Sequence, residues 1–128
     1  MSITDAWGSH WASAVNADPE NHHIGRMSRF GLRLESRDGY QADYVYTAGV
    51  LTPGKPAPGT QEDFIHLQGS AAAWVELFDA NAAPRRHDLL ALLKAPDGLV
   101  VVAGYDGLLR HLRVITRLVE IGKANATT

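Results

Sequence analysis

Apolar and polar positions change period several times along this 128-residue chain, and each change marks an element. Thr4 and Asp5 supply a helix start, and Trp7, Trp11, Ala14 and Val15 then recur along one helical face. Asp18-Pro19 ends that helix, because a proline disfavours α geometry in the residue before it. Residues 18–28 are polar and histidine-bearing and read as loop. Phe30, Leu32 and Leu34 alternate with Gly31, Arg33 and Glu35, the period of a half-buried strand. Asp38-Gly39 is a tight-turn dipeptide, so the next run, Tyr40 to Leu51, pairs back as a hairpin. In that run Tyr40, Ala42, Tyr44 and Tyr46 oppose Gln41 and Asp43. Thr52 to Asp63 carries three prolines and two glycines and reads as loop.

The second half alternates strand and helix. Phe64 to Gln68 is a short strand, and Ser70 is a good N-cap for a helix over Ala71 to Asp79, with Trp74 and Phe78 one turn apart. Pro84 suits the first turn of a further helix carrying Leu89, Leu90, Leu92 and Leu93. Pro96-Asp97-Gly98 turns the chain into Leu99-Val100-Val101-Val102, a continuous apolar run that reads as a strand buried on both faces. Asp106 then caps a last helix with Leu108, Leu112, Ile115 and Val119 inside and Arg110, Arg113, Arg117 and Glu120 facing water. The order α-β-β-β-α-α-β-α groups strands early and helices late, which predicts an α+β layer with helices on one face of a sheet. Its length predicts a single domain, 1–128.

Composition removes function classes rather than naming one. A formal charge of −2 leaves no basic excess for phosphate neutralisation, so nucleic acid is not an expected partner. The absence of cysteine excludes disulfide scaffolds, thiolate zinc sites and thiol nucleophiles. Met1 to Asp5 shows neither the basic nor the apolar region of a signal peptide. No apolar run approaches the roughly 20 residues of a membrane span, and the expectation is a soluble, cytoplasmic protein.

Candidate chemistry is sparse. His66 with Asp43 is the best acid–base pairing, with Tyr44 and Tyr46 as further groups, but nothing local supplies an orienting third group. His66 shares a strand face with Phe64 and Gln68, which favours a structural histidine. His22 and His23 are adjacent, so on a helix they would diverge by about 100°, and no carboxylate cluster accompanies them. Gly54-Lys55-Pro56 lacks the helix start of a phosphate cradle, and Ser70 is better explained as a cap than as a nucleophile. No catalytic residue, metal ligand or cofactor motif is assigned. What remains is aromatic and leucine surface in excess of what a small sheet covers, which implies a ligand cavity, a partner surface or a closed core.

Several of these segments together resemble the sterol carrier protein-like family. They are the Asp38-Gly39 hairpin, the long second strand, the Pro/Gly loop, Asp63 to Leu67 leading into Gly69-Ser70, Ala73 to Phe78, and Gly98 to Gly104 entering the last helix. The likeness covers about residues 30–118, with a helix of about 4–17 ahead of it. It implies a small, mostly antiparallel five-stranded sheet covered on one face by helices, with a tunnel between the layers for a fatty acyl chain, acyl-CoA or sterol. By position, Tyr44, Tyr46, Trp74, Leu77 and Phe78 would line that tunnel, and Leu108, Leu112, Ile115 and Val119 would close it. Tyr105 stands where the family places an acidic residue, and the last residues, 123–128, lack the apolar lid many carriers have.

The leading expectation is therefore non-catalytic binding of an apolar small molecule, by a chain that does not span a membrane. A small lyase or isomerase using Asp43, His66 and Tyr44 is the rival. An interaction module or accessory subunit, forming a homodimer or joining an enzyme partner, is the third reading.

Overall fold

The alternation of Phe30, Leu32 and Leu34 builds the central strand of a five-stranded sheet. In the computed structural model the described residues are 5–55, 63–78, 89, 93 and 97–125. Helix α1 (Asp5–Asn16) precedes α2 (Pro19–Gly25), β1 (Arg29–Ser36), β2 (Gln41–Thr47), β3 (Val50–Pro53) and β4 (Phe64–Gly69). After these come α3 (Ala71–Leu77), β5 (Val100–Ala103), α4 (Tyr105–Arg110) and α5 (Leu112–Asn125). The strand order is β3-β2-β1-β4-β5. β1 runs antiparallel to β2, with Leu32 opposite Tyr44 and Leu34 opposite Ala42, and parallel to β4, with Leu32 beside Ile65 and Leu34 beside Leu67. The sheet is thus mixed, with one parallel pair among otherwise antiparallel ladders. Phe30, Leu32, Leu34, Tyr44, Tyr46, Ile65 and Leu67 are all buried on its inner face, against Trp11, Trp74, Leu77, Phe78, Ile115 and Leu118 from the helices. Each such large side chain contributes about 1.5–3 kcal/mol on burial.

Several expectations are corrected. Residues 18–28 are not all loop. Asp18 caps α2 by accepting the Asn21 N–H at 2.8 Å, and Pro19 occupies the first turn, so the dipeptide that ends one helix begins the next. Tyr40 to Leu51 is two strands, because Ala48 (φ 50°) and Gly49 (φ 92°) form the left-handed two-residue turn that joins β2 to β3. Thr52 and Pro53 consequently end β3 rather than open a loop. The apolar run at 99–102 is an edge strand. Leu99 is buried, but Val100 and Val102 are 47% and 50% exposed.

The last helix is divided at His111 into α4 and α5, and its cap is Gly104 rather than Asp106. Gly104 adopts φ 81°, and a Cβ there would strike the Phe64 carbonyl oxygen, so glycine alone lets α4 start this close to β4. Arg117 does not simply face water, since its guanidinium bonds Asp18 at 2.8 Å and Glu20 at 3.0 Å, tying α5 to α2. The helix expected after Pro84 lies outside the described residues except for Leu89 and Leu93, both helical.

Asn21, Tyr46 and Trp11 pair their buried polar groups where the layers meet, whereas the buried Ser36 hydroxyl has no hydrogen-bond partner among the described residues. Asn21 donates to the carbonyls of Val15 (3.1 Å) and Gly49 (2.7 Å) and accepts the Tyr46 hydroxyl at 2.6 Å. Burial pushes the Tyr46 phenol up to about 12, so it stays a neutral donor. The Trp11 indole N–H donates to the Leu118 carbonyl at 2.9 Å, locking α1 to α5.

Candidate functional site

Helical spacing on α3 and α5 and strand alternation on β1 and β4 aim their apolar side chains at one another. Where they meet lies a small void. Leu32, Leu34 and Leu67 form its floor; Trp11 of α1 forms one wall. Trp74, Leu77, Phe78, Leu89, Ile115, Leu118 and Val119 form its roof. No polar atom lines it. Its volume is about 10 Å³, barely that of one water.

Of the nine residues assigned to a pocket from sequence, Trp74, Leu77, Phe78, Ile115 and Val119 converge on this void. Tyr44, Tyr46 and Leu108 are buried elsewhere in the core, and Leu112 is half-buried away from it. Trp11, Leu32, Leu34, Leu67, Leu89 and Leu118 join the lining without having been singled out. Leu32 and Leu34 were readable as inward-facing strand residues, whereas Leu118 needed the α4–α5 break to be known. The Trp74 indole N–H donates to the Glu35 carbonyl at 2.8 Å, which fixes the ring across the void's edge.

The outer face of the sheet carries the titratable groups. Asp43 does not meet His66. Its carboxylate takes the Arg33 Nε–H at 2.7 Å, while His66 Nε2 lies 2.7 Å from Glu35 Oε1. Gln68 donates to Glu35 at 3.1 Å, and Arg33 stacks over Phe64 at 5.2 Å. Gln68 and then His66 hold the Glu35 carboxyl below its ordinary value. The acid–base pairing on which the lyase reading rests is thus split between two separate partners. Asp63 binds Arg110 at 2.6 Å and His111 at 2.9 Å, bracing the α4–α5 joint, and Arg110 foremost holds its carboxyl low. Among the described residues no three His, Asp or Glu side chains are grouped to hold a metal. Nor is any described helix long and apolar enough to cross a membrane.

A second, open space adjoins the first. Gly8 and Ser9 of α1, Gln41 to Tyr44 of β2, and Pro53 to Lys55 enclose a groove of about 320 Å³. Tyr44 lines this groove and Trp11 lines the void, and their rings meet edge to face at 5.2 Å.

The architecture of sheet, crossing helices and sandwiched apolar layer has solved counterparts. A crystal structure of sterol carrier protein 2 superposes with a TM-score of 0.65, covering 94% of this chain and 95% of that one at 15% identity. The fold is that of the sterol carrier proteins. Sterol carrier protein 2 from Yarrowia lipolytica, in its apo form, matches at a TM-score of 0.54 and 15% identity, over 92% of this chain and 90% of that one. The UbiJ-SCP2 ubiquinone synthesis protein matches at 0.60 and 16%, over 95% and 89%. No protein-family model matches the sequence, and no curated protein does so. The sterol carrier-like mixed sheet therefore stands on three-dimensional likeness, with the void at the position between its layers.

Proposed function

We propose that this chain binds the apolar tail of a lipid between its sheet and its helices and performs no reaction on it. The observation that carries this is the lining of the void, apolar on every side and built from strands β1 and β4 and helices α1, α3 and α5. The sterol carrier-like fold supports it, since its named counterparts are carriers. A void of about 10 Å³ is too small for a tail, so binding requires its walls to part. Each methylene then buried contributes about 0.8 kcal/mol, enough to offset that separation over a long chain. Fluorescence titration with cis-parinaric acid, backed by native mass spectrometry, tests the reading. Saturable binding is expected, abolished by Ile115→Asp with the fold intact by circular dichroism and unchanged by Arg113→Ala at the exposed side of α5. A chain that neither binds the probe nor carries lipid overturns it.

The interaction-module reading has its own observation. Val100 and Val102 are exposed on β5, and Tyr105 and Leu109 on α4. An uncharged edge strand invites pairing with another chain. Sedimentation over a concentration series separates a carrier monomer from such an assembly.

A further inference from the structure

The groove beside the void carries a cation with no partner among the described residues. Lys55 is exposed on its rim and takes part in no hydrogen bond or ion pair with the described residues. Its backbone is nevertheless fixed, because the preceding Gly54 N–H donates to the Asp43 carbonyl at 2.8 Å. Ser9 and Gln41, both exposed on the same groove, add a hydroxyl and an amide as neutral donors. Asp43, the acid among the lining residues, has its carboxylate engaged by Arg33 at 2.7 and 3.5 Å, so its charge is matched already. The groove therefore offers donors and an unmatched positive charge.

Its position gives that charge a meaning. Leu32 and Leu34 floor the void, and their cross-strand partners Tyr44 and Ala42 line the groove. Neighbouring strands β1 and β2 thus contribute to the void and to the groove respectively. What divides them is the Trp11–Tyr44 contact. Gly8 keeps the divide thin, since a Cβ there would collide with the Tyr44 hydroxyl.

We propose that the groove is the acid end of the lipid site. Lys55, aided by Ser9 and Gln41, takes the carboxylate of a fatty acid whose tail passes Tyr44 and Trp11 into the void. This rests on the tail-binding reading above and adds a head-group preference to it. A free carboxylate is the source that fits, because the cation is single and the remaining donors are neutral.

The test compares cis-parinaric acid with its methyl ester on the full chain, at a pH where the acid is ionised. The acid should bind roughly fivefold more tightly than the ester, the scale of one exposed ion pair. Lys55→Met should erase that difference, Lys55→Glu should reverse it, and Lys55→Arg should retain it. Acetate or inorganic phosphate, added alone, should not displace the acid. If the ester binds as well as the acid in the unmodified chain, the head-group site is wrong and tail binding survives. If neither probe binds, both readings fail together. Displacement by acetate or phosphate at micromolar levels would make the groove an independent anion site and overturn the link to the tail.

Discussion

The Asn16 side chain holds both backbone groups of Leu51. The Leu51 N–H donates to Asn16 Oδ1 at 2.7 Å, and Asn16 Nδ2 donates to the Leu51 carbonyl at 3.0 Å. One amide thereby stands in for a missing neighbour strand on the outer side of β3. The opposite edge, β5, has no such cover among the described residues, and its Val100 and Val102 are exposed.

Asn16→Ala should therefore destabilise the chain by about 2 kcal/mol, since it leaves a part-buried donor and acceptor unmatched. Urea denaturation measures this as a lower midpoint at unchanged slope. A midpoint equal to that of the unmodified chain would show that water replaces the amide without cost.

The Asp18–Arg117 pair should make stability fall in acid. The Arg117 guanidinium holds the Asp18 carboxyl below its ordinary 3.8. The folded state thus prefers the carboxylate, so the pair's contribution is complete above 3.8 and is lost as pH falls through the depressed value. Asn still caps α2, so Asp18→Asn isolates the charge and should cost about 1 kcal/mol at neutral pH. The gap between variant and unmodified chain should narrow as pH falls below 3.8. An undiminished gap there would assign the loss to geometry rather than charge.

Leu77→Ala should open the void. Deleting this buried side chain should cost about 3 kcal/mol and leave an apolar cavity. Such a cavity stays dry and takes small apolar guests, so benzene should raise the Tm of the variant more than that of the unmodified chain. Equal shifts would mean that α3 and α5 collapse into the gap.

Local signals carried most of the fold. The alternation in β1, the Asp38-Gly39 turn and the Ser70 cap, which accepts the Ala73 N–H at 3.1 Å, are written in adjacent residues and need no tertiary knowledge. What stayed hidden depends on neighbours distant in the chain. Val100 to Val102 is as apolar as a central strand, and periodicity does not distinguish centre from edge. The Ala48-Gly49 turn is hidden inside a run rich in aromatic and β-branched residues. Asp18-Pro19 serves as both a stop and a start, and only the Asn21 bond shows the second role. The pairing of His66 with Glu35 rather than Asp43 follows from the parallel β1–β4 register, which element order alone does not give. The void was legible only by halves: α3 and α5 announce their apolar stripes, but which leucines meet depends on the joint at His111.

The aromatic cluster at α1 also makes the chain its own optical instrument. Trp7 and Trp11 lie nearly parallel with ring centroids 5.1 Å apart, close enough for two indoles to share an excitation. Such coupling splits an absorption band into a pair of opposite circular-dichroism signs. Trp11 and Trp74 border the void, and Trp7 packs against Phe78, another of its walls. All three tryptophans thus sit at or beside the same small space. A guest that shifts Trp11 would weaken the coupled band before it altered any helix, so occupancy registers in the native chain without a label.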